Sequence, residues 1–359
     1  MGASLSSIWA SLPPPTDFFP PSPAAYTILL TTFQYFPICT IFQWLLPWHP
    51  AGKTSLQTSF LNIPGRIAWS AMEIVGPINL IYNLSLGSPS FSELPAANQL
   101  VAALYCIHYF NRGIISPFFS APSMSPIHAS IMTSAMVFNW LNSSCIAGWL
   151  HGYAIPMPGF KTDGSGALAS SSPSSLQEIL PLIGVALFIL GMAGNIYSET
   201  ALFRFRKDEA EKRAAKKSDS QVPAGDDKYH KVYVIPPVKG VFRSILYPHY
   251  VFEWIEWTGF ALAGTAVFPL SALAKTNVAS AGTGVGVASR MYPAPWVIPA
   301  VWAADKYGLP LPLPAVLFVI NAVANMLPHA RWGRKWYVEK FGEKGVAGRG
   351  AVVPWCSWM

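Results

Sequence analysis

Residues Ile179–Leu202 read ILPLIGVALFILGMAGNIYSETAL, and Phe203–Lys207 continue as FRFRK. About 20 apolar residues in a helix cross the hydrocarbon core of a bilayer. This run meets that length with no charge before Glu199, so it predicts a membrane span. Its polar end carries information of another kind. Asn195 and Glu199 are spaced i,i+4 and share one helical face, and Arg206 extends that face. An amide, a carboxylate and a guanidinium in one stripe suit ribose hydroxyls and phosphates. The plainer reading of Arg204, Arg206 and Lys207 is a set of positive-inside anchors.

The rest of the chain repeats the pattern. Its 359 residues are 52% hydrophobic and 11% charged, whereas soluble proteins run nearer a quarter charged. Further spans are expected at Ala24–Trp48, Ile67–Leu86, Ala97–Ile115, Ile127–Leu150, Tyr250–Ala272 and within Trp296–Leu327. The last is interrupted by Asp305-Lys306 and by Pro310, Pro312 and Pro314. The expected fold is all-α, a polytopic membrane protein with about seven transmembrane helices in one bundle. Residues 1–23 are read as a Pro/Ser-rich N-terminal segment, 24–341 as the transmembrane domain and 342–359 as a C-terminal tail. Asp208–Lys231 is a polar, Ala/Lys/Asp-rich insert, expected to be a flexible cytosolic excursion.

Loop charges orient such a bundle. Lys53 and Arg66, Arg112, the cluster Arg204–Lys217 and the group Arg331–Lys340 fall in alternate loops, and the other loops hold only Lys161, Lys275 and Arg290. This alternation predicts a luminal N-terminus and a cytosolic C-terminus. The net charge of +7 is therefore read as membrane topology, with no nucleic-acid partner. Cys39, Cys106, Cys145 and Cys356 show no metal spacing and are expected as free thiols, with no metal bound. Met1–Pro23 lacks a signal-peptide pattern. The myristoylation-like start at Gly2 is expected to be a chance match, and the sequons at Asn83 and Asn142 fall too close to spans for glycosylation. Gly282–Gly286 is read as a flexible connection, since no strand-then-helix pattern surrounds it.

Polar residues within spans are the guide to chemistry, because each is costly there. Glu73 has no cation near it in sequence, so its carboxyl is expected to face the bundle interior, protonated or hydrogen-bonded. The plain alternative is an interhelical hydrogen bond. His108-Tyr109-Phe110-Asn111-Arg112 closes the third span, where Tyr109 by itself reads more as an interfacial aromatic and Arg112 as a snorkelling end charge. Pro248-His249-Tyr250-Val251-Phe252-Glu253-Trp254-Ile255-Glu256-Trp257 opens the sixth with two carboxylates. Helical spacing places His249, Glu253 and Glu256 on one polar face entering the bundle.

Taken in chain order, these motifs resemble the steroid 5α-reductase family. The resemblance rests on Pro64–Trp69 leading to Glu73, on His108–Arg112, and on Gly191–Ile196 leading to Arg206-Lys207. It continues through Tyr233–Pro236, Gly240–Phe242, Glu253…Glu256-Trp257 and the tail Lys335–Phe341. The resemblance implies an endoplasmic-reticulum enzyme that uses NADPH to reduce a carbon–carbon double bond conjugated to a carbonyl in a steroid- or terpenoid-like lipid. By it, Glu73 and Tyr109 match the pair that holds the substrate's carbonyl oxygen. Cofactor positions fall on Asn195, Glu199, Arg206, Tyr233, His249, Glu253 and Tyr337, with Arg112 a phosphate contact. A monomer in the bilayer, with a lipid-like small molecule as its partner, is expected.

The chain departs from the family pattern in places. Glu199 stands where an Asp is usual, and His249 where steroid-reducing members often have Asn. His329, Gly333 and Arg334 replace an Arg and a His-His pair. Expected cofactor contacts are missing there, and Arg331 or Arg334 would have to supply them. The alternatives are a reductase of an enoyl thioester or a polyprenol, a membrane methyltransferase using S-adenosylmethionine, and a non-catalytic lipid-binding protein.

Overall fold

The computed structural model describes residues 12–45, 59–87, 89–153, 155, 157–160, 175–216, 228–229, 232–267 and 290–358. Nearly all regular structure is helical. Helix α1 (Pro23–Gln34) starts with Pro23 in its first turn, and the Ser22 hydroxyl accepts the Ala25 N–H. It breaks at Tyr35–Phe36 before α2 (Pro37–Leu45), because a proline cannot donate into the preceding turn. The expected first span is thus two helices. Helix α3 (Gly65–Leu86) and α4 (Ala96–Phe110) follow, and α4 runs on as a π-helical segment, Asn111–Ser120. Next come α5 (Ala129–Leu150), α6 (Ser175–Ala215), α7 (Pro248–Ala263), α8 (Ile298–Tyr307) and α9 (Leu313–Val346). The expected last span is divided into α8 and α9 around Gly308, which takes a left-handed conformation, and the Pro cluster.

Among the described residues, three helical stretches are long and apolar enough to cross a membrane: Pro23–Leu45, Ser175–Ala215 and Leu313–Val346. The remaining expected spans are helical where described, but shorter or richer in Asn, Ser and Glu. A count of seven crossings is therefore not reached by length and hydropathy. The insert reading also needs correction at its start. Helix α6 continues to Ala215, because Lys212, Arg213 and the flanking alanines are good helix formers and Arg213 pairs with Glu209 at i,i+4 (2.8 Å). Residues 217–227 and 230–231, like Gly282–Gly286 and Gly2, lie outside the described residues.

Helix packing relies on small residues and interhelical amides, as expected where lipid offers no hydrophobic drive between helices. Helices α6 and α7 pack along their length. A Cβ on Gly191 would strike the Glu256 backbone, so this glycine sets how closely the two helices approach. Between α3 and α5, the Asn79 side-chain amide donates to the Ser143 and Ser144 hydroxyls at 2.8 and 2.9 Å. Asn83 and Asn142, the two sequon asparagines, are buried, and Asn142 donates to the Tyr105 hydroxyl at 3.3 Å. Two short strands, β1 (Asn62–Ile63) and β2 (Ile127–His128), pair antiparallel and tie the starts of α3 and α5 together.

The main core gathers Tyr26, Phe33, Tyr105, Trp149, Trp257, Phe260 and Phe318, with Trp257 and Phe318 rings 4.3 Å apart. A second cluster lies at the far end of α9 and includes Leu246, Tyr247, Tyr337 and Val352. There the C-terminal tail returns to the segment before α7. The Tyr247 N–H donates to Ala351 O at 2.9 Å, and Ile245 bridges Gly350. The tail therefore holds the start of α7 in place.

Candidate active site

Four elements bring their polar residues to one buried place. Helix α3 contributes Glu73, the π segment Arg112 and Ser116, α6 Asn195 and Glu199, and α7 Glu253. The Arg112 guanidinium is the hub. It forms an ion pair with Glu199, lies 3.7 Å from Glu73 and reaches Glu253 at 4.0 Å, and its side chain is only 11% exposed. The Ser116 hydroxyl donates to the other Glu199 oxygen at 3.3 Å. The Asn195 amide donates to Glu253 at 3.1 Å and to the His249 carbonyl at 3.2 Å. The i,i+4 stripe read in α6 thus delivers Asn195 and Glu199 to the same cluster.

Arg112 is not a snorkelling end charge. The chain stays helical past it with the wider π pitch, a geometry that recurs at functional sites. Its guanidinium stacks on the Trp69 ring at 4.6 Å, while the Trp69 indole N–H donates to the Arg112 carbonyl at 3.0 Å. One tryptophan thereby fixes both ends of the residue. Gly113 sits against the Glu73 side chain, which lets the π segment lie close to α3.

Tyr109, one turn earlier, points to the core side of this cluster. Its hydroxyl donates to Asn139 Oδ1 at 2.8 Å, and Asn139 in turn donates to Met72 O, the residue before Glu73. Asn139 therefore links the Tyr109 phenol to the Glu73 turn of α3. Beside it, His108 Nδ1 and Glu256 Oε1 are 2.7 Å apart, both buried, with the His108 ring 4.3 Å from Trp257. Glu253 and Glu256 share the polar face of α7 yet serve different partners, one Arg112 and the other His108.

The remaining expected residues lie around this centre. His249 packs against Tyr247 and Tyr250, and Tyr337 against Tyr247. Arg206 is on the α6 stripe but is not in the cluster. Its guanidinium donates to Ser123 O at 3.2 Å, Ser123 Oγ at 2.8 Å and Val232 O at 3.2 Å, binding the segment before Tyr233 to the loop after the π helix. Tyr233 stacks edge-on with Trp336 at 4.9 Å under the Lys340 ammonium.

The tail arginines make contacts of their own. Arg334 donates from Nε to Arg349 O at 2.9 Å, and Arg331 lies over the Trp44 ring. Gly333 has a packing role. A side chain there would collide with the Tyr247 phenol, so Tyr247 fills the space that a larger residue at 333 would need.

Sequence reasoning missed Asn139 and the pairing of His108 with Glu256. Asn139 carried a usable signal, as an amide deep within an apolar span. The pairing carried none, because its partners are far apart in the chain.

A helical membrane protein with a guanidinium–carboxylate centre buried between its helices is the class that fold and site define. Residues 125–283 match the family model described as 3-oxo-5-alpha-steroid 4-dehydrogenase, a stretch that includes Asn139, Asn195, Glu199, Arg206, Tyr233, His249 and Glu253. The chain is 26% identical over 334 residues to steroid 5-alpha-reductase DET2 of Arabidopsis thaliana, covering 92% of this chain and 95% of that protein. It is 27% identical over 217 residues to human 3-oxo-5-alpha-steroid 4-dehydrogenase 1, covering 60% and 69%. An uncharacterized protein of Schizosaccharomyces pombe is 26% identical over 320 residues, covering 85% and 90%. These matches support a likeness of the chain to the steroid 5α-reductase family.

Proposed function

We propose that the chain is an NADPH-dependent reductase of a carbon–carbon double bond conjugated to a carbonyl, acting on a steroid- or terpenoid-like lipid. The observation that carries this reading is the arrangement along α4 and its π extension. A buried phenol, Tyr109, is linked through Asn139 to the Glu73 turn, and Glu73 itself borders the Arg112–Glu199–Glu253–Asn195 cluster. The donor set of that cluster and its surroundings fits a nicotinamide dinucleotide. Carboxylates of Glu199 and Glu253 would accept from ribose hydroxyls or a carboxamide, the Arg112 guanidinium would meet phosphate oxygens, and Tyr233, His249 and Tyr337 would offer rings and polar edges, while Arg206 would brace the loop that carries Tyr233.

The bound dinucleotide would supply hydride to the β-carbon of the enone. The electron pair displaced from the double bond moves onto the carbonyl oxygen. Tyr109, turning its hydroxyl from Asn139 to the substrate, and Glu73, once protonated, would donate hydrogen bonds to that oxygen and bind it more tightly as an enolate than as a ketone. The enolate then takes a proton from solvent water at the α-carbon, completing addition of two hydrogens. His108 and Glu256, closed on each other beneath Trp257, hold the Tyr109 side of the pocket in register. The family resemblance supports an endoplasmic reticulum membrane location, and the loop-charge pattern favours a luminal N-terminus and a cytosolic C-terminus.

Purified protein in detergent tests the cofactor directly. NADPH should raise the melting temperature by mass action and S-adenosylmethionine should not. Incubation with enones, enoyl thioesters and polyprenols, followed by mass spectrometry, should give a two-hydrogen gain on the enone. A gain on a thioester or polyprenol alone would redirect the substrate assignment, and stabilisation by S-adenosylmethionine would overturn the reaction class.

A further inference from the structure

The basic end of α9 forms a second feature, on a different face of the helix from the candidate active site. Gly333 and Tyr337 face Tyr247. Arg331, Lys335 and Val338, at i, i+4 and i+7, line instead a cavity of about 290 Å³ that the C-terminal tail closes with Trp358. Three cations border it, Arg331, Arg334 and Lys335, against one carboxylate, Glu343.

Arg334 makes this a built site. It is 6% exposed, and its Nε is engaged by Arg349 O. Its Nη2 has no hydrogen-bond partner among the described residues, and its ion pair with the exposed Glu343 is long, at 3.8 Å. A buried guanidinium edge without an acceptor is costly, and an anion would satisfy it. Lys335 and Arg331 are held beside it over indole rings, Lys335 on Trp332 at 5.0 Å and Arg331 on Trp44 at 5.5 Å.

Position identifies the source of the anion. Trp44 belongs to α2, whose outer face presents Ile38, Ile41, Phe42 and Leu45, the last 74% exposed. An apolar face of this kind belongs in hydrocarbon, and it ends at Leu45, beside Trp44 and Arg331. Trp355 and Trp358 are 68% and 72% exposed on the tail, the position of interfacial indoles. The cavity therefore opens where headgroups lie.

We propose that this cavity binds the phosphate of an anionic membrane phospholipid, with Arg334 Nη2 and the Lys335 and Arg331 cations as its donors. The lipid would hold the C-terminal tail against α9, and through the Tyr247–Ala351 hydrogen bond the start of α7.

The test is thermal unfolding of delipidated full-length protein in detergent, with dioleoyl phosphatidic acid, dioleoyl phosphatidylcholine or inorganic phosphate added at equal concentration. Phosphatidic acid should raise the midpoint by about 2–4 °C at saturation, and the other two should leave it unchanged. Arg331→Gln/Lys335→Gln should lose most of that rise, while the charge-retaining Arg331→Lys/Lys335→Arg should keep it. Trp358→Ser, at an exposed position on the cavity rim, should weaken it. All three variants should keep the NADPH-induced rise, which separates this site from the candidate active site. An equal response to inorganic phosphate would overturn the lipid assignment. A full phosphatidic acid response in the Gln double variant, or none in the native chain, would overturn the site.

Discussion

Arginines that are buried or partly buried differ in what they face. Arg112 lies among carboxylates from three helices. Arg206 and Arg349 are held mainly by backbone carbonyls, Arg206 by Ser123 and Val232, and Arg349 by Pro236, Phe242, Gly345 and Val346. A carbonyl has a fixed dipole and cannot titrate, so such an arginine acts as a strut between loops. A carboxylate can change charge, exchange partners or accept from a ligand, so a centre such as Arg112 can respond to what binds. The same residue type thus marks structure in one region and chemistry in the other.

That contrast can be broken by substitution. Arg112→Met would leave buried carboxylates without a cation and should cost about 3–5 kcal/mol, read as a lower unfolding midpoint with loss of NADPH stabilisation. Tyr109→Phe and Glu73→Gln should each cut enone turnover by about 10²–10³-fold, the usual effect of removing one oxyanion donor, with NADPH stabilisation retained. Loss of NADPH stabilisation in either would contradict the separation between substrate and cofactor ends. Arg349→Met strands several carbonyls and should cost about 1–3 kcal/mol. Tyr109→Phe and Arg349→Met should therefore differ in kind: the first loses turnover with little change in melting, the second melts early with residual turnover per folded molecule. Arg213→Ala breaks the exposed pair with Glu209 and should change stability by less than about 0.5 kcal/mol.

The hydropathy of the chain read the helices well where a single helix had to satisfy itself. Ala129–Leu150 and Gly65–Leu86 fall close to their expected bounds. Reading failed where neighbours decided. The break at Tyr35–Phe36, the π pitch after Phe110 and the helical start of the polar insert depend on packing and local pairing that hydropathy does not register. Within the site, Asn195 and Glu199 were legible because i,i+4 spacing fixes a common face. Arg206 shared that spacing and still went elsewhere, because its long side chain turns toward the Ser123 and Val232 carbonyls.

What the sequence determined by itself was the apolar helical character, the residue types at the site and the family resemblance, all properties of local composition and motif order. Only the tertiary structure decided that Arg112 is shared by Glu73, Glu199 and Glu253, that Asn139 links Tyr109 to the Glu73 turn, and that Arg334 donates to the Arg349 carbonyl. The physical reason is that burial leaves each charged or polar group dependent on partners close in space. Those partners come from helices far apart in the chain, so no local pattern records them.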